Sequence, residues 1–299
     1  MIGAWLGRLG AHAAIFLLWL LHFLPLSVLA VLGQGLGWVL WRVAGSRRRV
    51  ALTNLRLCFP EWSPARREAL GREHFVWLSR SLLERSLLWF ASEERLLGMV
   101  RVEGDPRAAE RSGEPVMWLL PHFVGLEFTG PGLMLHQGRA GVDVYQRQRN
   151  PVFDERLLRG RSRYGRSTLV NREAGIRPVL RAIQAGAGFL NALDQDFGSK
   201  DAAFVPFFGI PAATLVSPAR MARTLKMLVQ PIVVTMLPGG QGYVVRFCEA
   251  PPGFDDPDPV AATAAFNRWL EDRVREHPAQ YLWVHRRFKT RPPGEPGVY

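Results

Sequence analysis

The sequence predicts an α/β fold: a central mixed sheet flanked by helices, with an N-terminal transmembrane or interfacial helix. Three observations lead to this prediction. An apolar run without Asp, Glu, Lys or Arg extends from Leu9 to Trp41, and a region rich in Leu, Arg and Glu follows it. From Pro115 onward, short apolar runs alternate with helical stretches. That alternation is typical of a sheet covered by helices, with a site at the strand ends.

The apolar run is longer than the roughly 20 residues that a helix needs to cross a bilayer. Pro25 interrupts it, which favours a kinked span, or one span followed by an interfacial segment. The positive-inside rule places everything after residue 42 in the cytoplasm. We therefore expect a membrane anchor over residues 1–45 and a cytoplasmic domain over residues 46–299, with a buried soluble hairpin as the alternative. The basic residues behind this orientation are Arg8 before the run and Arg42, Arg47, Arg48 and Arg49 after it.

The remaining elements follow from local patterns. Residues 47–112 are predicted helical, and Ser63-Pro64 has the chemistry of a helix N-cap and first turn. Pro238-Gly239-Gly240 between two strand candidates is a hairpin signal, which makes the sheet mixed. A late helix is predicted over Val260 to Arg275, with Phe266, Trp269, Leu270 and Val274 facing inward. The strand candidates are Val116–Leu120, Val142–Tyr145, Gly188–Leu193, Gln230–Met236 and Tyr243–Phe247.

Net charge indicates which class of partner the chain binds, and missing motifs argue against several kinds of catalytic or metal site. The chain has 299 residues, a formal net charge of +12 and a pI near 10.8. Such a charge favours anionic partners in general. Cys58 and Cys248 lack paired spacing, so buried thiols are expected. The seven histidines are scattered, which argues against a metal site. A nucleophile elbow, a phosphate-cradling Gly-Lys-Ser/Thr loop and a dinucleotide-binding glycine motif are all missing.

The candidate catalytic pair is His122 and Glu127, directly after the apolar run Val116–Leu120. Residues five apart point to different faces of a helix, so the two meet only if His122 lies on the turn before the helix. A carboxylate bonded to one ring nitrogen would leave the other free as a general base. The alternative is a core histidine at a strand end and a solvated glutamate.

Two further clusters are candidates for substrate binding. Guanidinium groups near strand ends suit phosphate or carboxylate recognition, although a solvated basic face is the alternative. The second cluster places two carboxylates and a lysine after an apolar strand and leads into an aromatic run that could wall a lipid groove, with core packing as the alternative. The residues are Arg147, Arg149, Arg161 and Arg163 in the first cluster, and Asp194, Asp196, Lys200 and Phe207 in the second.

Several blocks in order resemble one family. Pro121-His122-x4-Glu127 is similar to the His-x4-Asp/Glu motif of glycerolipid and lysophospholipid acyltransferases. Three other blocks and the tail are similar to those of late lipid A acyltransferases, the lauroyl/myristoyl transferases of Gram-negative inner membranes. The resemblance covers nearly the whole chain, but the Phe-Pro-Glu-Gly phosphate-binding block of the broader superfamily is absent. The blocks begin at Val50-Ala-Leu-Thr-Asn-Leu-Arg, Asp194-Gln-Asp-Phe-Gly, Phe204-Val-Pro-Phe-Phe-Gly and Gln280-Tyr-Leu-Trp-Val-His-Arg-Arg.

The resemblance implies transfer of a fatty acyl chain from acyl carrier protein to a 3-hydroxyacyl group of a phosphorylated lipid A precursor. It implies His122 as general base with Glu127 as its orienting carboxylate, no acyl-enzyme, and no cofactor beyond the acyl carrier protein co-substrate. The arginine cluster and the Asp194/Asp196 pair match family blocks, and we assign them to substrate phosphate or carrier contacts and to site architecture. The implied location is the cell inner membrane.

Three alternatives stay open at this level. They are an acyltransferase of the same superfamily with another lipid acceptor, a membrane-bound acyl thioesterase, and a membrane-tethered nucleic-acid-binding protein. The last lacks any recognisable binding motif, so no nucleic-acid partner is expected. The sequence patterns do not specify the acyl-chain length, the acylated hydroxyl, a requirement for Kdo, the oxyanion-stabilising groups or the oligomeric state.

Overall fold

The structure is a computed structural model that describes residues 2–134, 136, 138–163 and 167–299. The N-terminal apolar run forms two helices, and Pro25 separates them as predicted: α1 Ile2–Leu21 and α2 Leu26–Val43. Within the described residues, α2 is the one helix that is long and apolar enough to cross a membrane by length and composition.

The predicted helical region contains four helices and one strand. Ser63 begins the longest of these helices as its N-cap, because its Oγ accepts a hydrogen bond from the backbone N–H of Arg66 at 3.2 Å. The prediction was wrong at Val100–Glu103, which forms strand β1. Its alternating valines pair in parallel with a strand more than 140 positions later, a partner that local helical spacing cannot reveal. The helices are α3 Gly45–Cys58, α4 Pro64–Phe90, α5 Glu93–Leu97 and α6 Ala108–Ser112.

The second half alternates strands and helices around one mixed sheet, as the sequence predicted. Further strands are β2 Val116–Leu119, β3 Gly141–Tyr145, β4 Ser167–Asn171, β5 Gly188–Asn191, β6 Ala202–Phe207, β7 Ile210–Leu215, β8 Leu228–Met236 and β9 Tyr243–Phe247. Further helices are α7 Thr129–Met134, α8 Pro151–Ser162, α9 Arg177–Gln184, α10 Ser217–Thr224 and α11 Pro259–Glu276, with 3-10 turns at Leu126–Phe128, Arg172–Ala174, Pro238–Gly240 and Pro278–Gln280.

Among the described residues the main sheet has seven strands in the order β1-β9-β8-β2-β5-β3-β4. Strands β8 and β9 pair antiparallel across the predicted turn, while β2 pairs in parallel with both β5 and β8. The sequence missed β1, β4 and the separate β6–β7 hairpin. In that hairpin the Phe204–Phe207 run forms one strand of an antiparallel ladder.

Strand β2 lies at the centre of the molecule, and its four residues are fully buried. Met117 and Leu119 pack into the core on one face of the sheet, and Val116 and Trp118 pack into the core on the other. Burial on both faces explains why β2 reads as a continuous apolar run rather than an alternating one. Helix α11 covers the first core with Phe266, Leu270 and Val274 fully buried, as predicted, and Trp269 partly buried.

Helix α2 packs along α4 with very close backbone contact. A Cβ on Gly33 would lie 2.8 Å from the Arg80 Cα, and a Cβ on Gly37 would lie 2.6 Å from the Val76 Cα. Gly35, on the outer side of the same helix, has nothing within 4 Å. Glycines at the inner positions therefore allow α2 to approach α4 at backbone distance.

We expect Gly37→Ala to lower the free energy of unfolding by about 1–3 kcal/mol, because the added methyl overpacks the α2–α4 contact. The matched control is Gly35→Ala, which fills no contact and should raise it by up to about 1 kcal/mol through helix propensity. Thermal unfolding of both variants in detergent measures the difference. Equal midpoints for the two variants would contradict this packing.

Candidate active site

The site lies at the carboxyl ends of β2 and β5, which are neighbours in the sheet. After β2, the Leu120 N–H donates to the Asn191 carbonyl at 2.8 Å, and Pro121 then ends the ladder. His122 lies on the turn that precedes the Leu126–Phe128 helical turn, the position predicted for it. Asp194 follows β5 on the adjacent turn. Because the two strands run parallel, both side chains emerge at the same edge of the sheet.

Asp194 holds His122 through two hydrogen bonds. Its Oδ1 lies 2.6 Å from the His122 Nδ1, and its Oδ2 accepts the His122 backbone N–H at 2.8 Å. Since the carboxylate accepts, Nδ1 carries the proton and Nε2 is left with a free lone pair. Asp194 is completely buried, which by itself raises its pKa, but the charge and hydrogen bonds of His122 lower the pKa below its ordinary value. The side chain of His122 is 20% exposed and reaches solvent-accessible space.

This arrangement differs from the sequence expectation, which gave the orienting role to Glu127 and a substrate role to Asp194. Glu127 instead receives the forked guanidinium of Arg161, with Nη2–Oε1 at 2.7 Å and Nε–Oε2 at 3.1 Å. Arg85 adds a second cation 3.7 Å away. Burial raises the pKa of Glu127, but the two arginines outweigh burial and lower it to about 2. The physical reason for the difference is that Glu127 follows His122 into the next turn, whereas Asp194 faces it across the sheet edge.

Asp143 on β3 completes a chain of charges that the sequence did not suggest. Its Oδ2 accepts from the Arg161 Nη1 at 3.1 Å. Burial raises the pKa of Asp143 to about 6, with the neighbouring charge of Glu127 acting in the same direction and Arg161 in the opposite one. Arg161 therefore bridges two carboxylates, and its forked edge is filled by Glu127 rather than presented to a ligand.

Two cavities meet at His122. The first has a volume of about 170 Å³ and mostly apolar walls, including Leu88, Leu126 and Leu169. The second has about 540 Å³, within the range of small-molecule sites. Its walls are also mostly apolar but include Gln146, Gln195 and Arg172. Both cavities are lined by His122, Asp143, Val144, Arg161, Leu190 and Ala192.

The C-terminal segment supports the site from outside the sheet. The Leu282 N–H donates to the His122 carbonyl at 3.0 Å, and the Val124 N–H donates to the Gln280 carbonyl at 2.8 Å. Tyr281, between them, is buried beside Asp194; burial first, and then that carboxylate's charge, raise the Tyr281 pKa well above its ordinary value. Asn54 on α3 donates at 2.7 Å to the carbonyls of Trp283 and His285.

Asp196 is a structural residue of this support. Its carboxylate accepts from the Thr290 N–H at 2.6 Å, the Thr290 hydroxyl at 2.8 Å and the Gly198 N–H at 2.9 Å. His285 accepts the Asp196 N–H on Nε2 at 3.1 Å, and burial lowers its pKa to about 4. His285 is therefore neutral and bonded to the backbone of the Asp194–Asp196 segment.

The other predicted binding residues are dispersed. Arg147 and Arg149 are exposed in the loop after β3, and Lys200 is exposed in the turn before β6. Arg163 donates to the carbonyls of Leu88 and Ala91 at the end of α4. Phe207 is fully buried among Phe208, Tyr281 and Phe288 and lines neither cavity, which corresponds to the packing alternative.

Sequence reasoning missed Asp143, Arg85, Asn54 and Tyr281. Asn54 and Tyr281 lie inside the family-like blocks, so the blocks marked their positions without indicating what they contact. No group of three or more His, Cys, Asp or Glu side chains that could hold a metal ion occurs in the described part of the chain.

Comparison with known proteins identifies the family. Residues 4–290 match the family described as bacterial lipid A biosynthesis acyltransferase. The lipid A biosynthesis lauroyltransferase of Escherichia coli (strain K12) is 32% identical over 99% of this chain and 95% of its own length. The myristoyltransferase of the same organism is 33% identical over 98% and 88%, and the palmitoleoyltransferase is 31% identical over 94% and 92%.

A chain with these relatives over nearly its full length is an acyltransferase. It belongs to the bacterial lipid A biosynthesis acyltransferase family, which confirms the resemblance seen in the sequence.

We expect Asp194→Asn to lower kcat by about 10³–10⁴-fold, as the corresponding exchange does in a Ser-His-Asp triad, because the amide would present a donor to Nδ1 and move the proton to Nε2. Steady-state kinetics at saturating acceptor measure the loss, and an unchanged unfolding midpoint confirms the fold. Glu127→Gln is the comparison variant. It should reduce kcat less, since Glu127 acts through Arg161, and the reverse ranking would show that Glu127 orients the base.

Asp143 predicts a pH dependence of stability. Above pH 5 this carboxyl is ionised in the unfolded chain but still largely protonated in the folded one, whose pKa is about 6. The folded state binds more protons there, so the group's contribution to stability falls as pH rises from 5 to 7, by about 1 kcal/mol. Urea unfolding of Asp143→Asn beside the unmodified protein isolates this change, because Glu127 is ionised in both states over that range. Parallel pH profiles would contradict it.

Proposed function

We propose that the protein transfers a fatty acyl chain from the thioester of acyl carrier protein to the hydroxyl of a 3-hydroxyacyl chain on a lipid A precursor, forming an acyloxyacyl ester. The observation that carries the proposal is the His122–Asp194 pair at the junction of two cavities, in a chain of this family. Acyl carrier protein is a co-substrate, and no cofactor takes part.

In the proposed reaction, the His122 Nε2 takes the proton of the acceptor hydroxyl while the hydroxyl oxygen attacks the thioester carbonyl. Asp194 holds the ring in the required tautomer and stabilises the imidazolium that forms. The tetrahedral intermediate then expels the carrier thiolate, which receives the proton from His122. Every bond made and broken lies in the two substrates, so no covalent acyl-enzyme is needed.

The two cavities suit two different groups. In the first cavity, Leu88, Leu126 and Leu169 form a wall that suits hydrocarbon. The larger second cavity, with Gln146, Gln195 and Arg172, fits the polar part of a substrate. We assign the acyl chain to the first cavity and the polar group that carries the reacting atom to the second. Glu127 and Asp143 hold Arg161 at the shared wall, and we assign them to the architecture of that wall.

Charge supports the choice of partners. Acyl carrier proteins are acidic and lipid A precursors are phosphorylated, so a net charge of +12 favours both encounters. Arg147, Arg149 and Lys200 are exposed, and their chain neighbours Gln146, Gln148 and Asp201 line the second cavity. We therefore assign these three basic residues to the partner contacts. Arg163 donates to the carbonyls of Leu88 and Ala91 at the end of α4, and we assign it to the architecture of the site.

We further propose that residues 1–45 attach the protein to the inner membrane and that residues 46–299 face the cytoplasm. The apolar helix α2 supports the attachment, and the arginines that follow it suit the anionic headgroups of the cytoplasmic leaflet. An insoluble acceptor requires an enzyme that is held beside it. The same location brings the site to the soluble acyl carrier protein.

The test is mass spectrometry of products from the purified protein, acyl carrier protein loaded with several chain lengths, and a hydroxyacylated lipid A precursor. We expect a new ester with one preferred chain length, and none from His122→Ala. Free fatty acid without ester would overturn the proposal in favour of a thioesterase or a different acceptor, and a screen of other lipid acceptors separates those two.

A further inference from the structure

Helices α1 and α2 expose an unusually large apolar surface, here called the outer face. Its α1 side includes Phe16, 58% exposed, and its α2 side includes Val31, 64% exposed, and Trp38, 60% exposed. Isolated exposed apolar side chains are ordinary, but exposed apolar side chains repeated along two successive helices mark a surface that meets a partner or a membrane. The outer face consists of Leu9, Phe16, Leu17, Trp19, Leu20, Phe23, Val28, Val31, Leu32, Trp38, Val39 and Val43.

The opposite face of α2 is fixed along its whole length to the folded domain of residues 46–299, here called the body. At its start, Leu26 and Ser27 meet the backbone of Gly240 in the β8–β9 turn so closely that a Cβ on that glycine would lie 2.6 Å from them. The helix then touches α4 at Gly33 and Gly37, and near its end the Trp41 ring packs on Gly71 and Phe75. Both ends of α2 therefore lie against the same folded domain.

Helix α1 is held in a similar way. Arg95 donates to the carbonyls of His22 and Leu24, the latter at 2.6 Å, which fixes the bend between the two helices. At the other end, Asn150 at the start of α8 donates to the Gly7 carbonyl at 3.0 Å. Ile15 and Leu18 pack into the core below the helix. The bend and both flanking helices thus follow the surface of the body.

This attachment conflicts with a bilayer crossing by α2. Helix α4 runs beside α2, so its middle would enter the hydrocarbon together with α2. Because Gly240 of the β8–β9 turn meets the start of α2 and Gly71 meets its end, a crossing would place one end of the folded domain on each side of the membrane. The middle of that domain, with the charged Arg80–Glu84 pair, would then lie in the hydrocarbon. Charged side chains in the hydrocarbon core are strongly disfavoured and rarely face lipid.

We propose that α1 and α2 lie in the plane of a single phospholipid leaflet, with the outer face immersed and the body on the same side as both helix ends. The chemistry of the outer face supports lipid as its occupant. Arg42 stacks on Trp38 with its guanidinium 3.2 Å from the ring centroid, a pair typical of the boundary between headgroups and acyl chains. Arg8, Arg47 and Arg49 are exposed near the helix ends, where anionic headgroups would attract them.

The same geometry connects the membrane to the site. Helix α1 packs on the end of α4 and on α8. Leu88 and Trp89 of α4 and Gly160 of α8 also line the first cavity. A leaflet on the outer face would lie beside that cavity. A lipid substrate could then extend a chain into it without leaving the bilayer. The leaflet proposal itself does not depend on which acyl group is transferred.

Site-directed spin labelling of the full chain in vesicles of phosphatidylethanolamine and phosphatidylglycerol tests the proposal. Single cysteines replace Phe16, Val31 or Val39 in a background with Cys58→Ala and Cys248→Ala, whose fold is checked by circular dichroism. Ser199→Cys, in an exposed turn of the body, is the water-facing control. We expect all three helix labels at one shallow depth, about 5–10 Å into the boundary region.

Two results would overturn the proposal. A label at Val31 near the bilayer centre, with Val39 at the headgroups, would mean that α2 crosses the membrane. Labels shielded from both oxygen and water would mean that a second copy of the chain covers the outer face.

As an independent measurement, Val31→Asp combined with Trp38→Asp should reduce the vesicle-bound fraction at least tenfold while Gly35→Ala leaves it unchanged. Unchanged binding of the double variant would also contradict the proposal.

Discussion

The arrangement of the whole site depends on the two hydrogen bonds between Asp194 and His122. One fixes the imidazole ring and the other fixes the backbone turn that carries it, so a single buried carboxylate determines both where the His122 ring lies and which ring nitrogen is free. This is effective only because β2 and β5 are adjacent and parallel, and because the core buries both faces of β2. The packing of β2 in the core therefore fixes the position of the free His122 nitrogen.

The position of His122 could be predicted from the sequence, but the residue that bonds its ring could not. An apolar run ended by proline identified the strand end, and His122 lies on the turn after it as expected. Helical spacing can identify a partner for His122 only among residues close to it in sequence, and it indicated Glu127. The carboxylate that bonds His122 is Asp194, 72 positions away. It becomes a neighbour through the strand order, and no local pattern encodes strand order. The same limitation explains the missed strand β1, whose partner β9 lies more than 140 positions later in the chain.

The basic composition also has a second meaning that becomes visible only in the fold. A net charge of +12 indicates anionic partners, yet many of the arginines are used inside the molecule. Arg163 and Arg156 donate to carbonyls at the end of α4, Arg95 to the bend between α1 and α2, and Arg287 to the carbonyl of Ala213 at 2.7 Å. A guanidinium presents five donors and can satisfy several carbonyls together, which suits it to joining helix ends and loops.

The support of His122 by the C-terminal segment has a consequence for the order of events during synthesis. A ribosome releases α1 and α2 first, when the segment that pairs with residues 122–124 does not yet exist. The hydrogen bond from the Leu282 N–H to the His122 carbonyl can form only after Leu282 has been synthesised. The bond from the Thr290 N–H to the Asp196 carboxylate forms later still. The site is therefore completed only after residue 290 has emerged, long after the apolar helices have been exposed. Until then the turn that carries His122 lacks the two backbone hydrogen bonds by which residues 280–282 hold it.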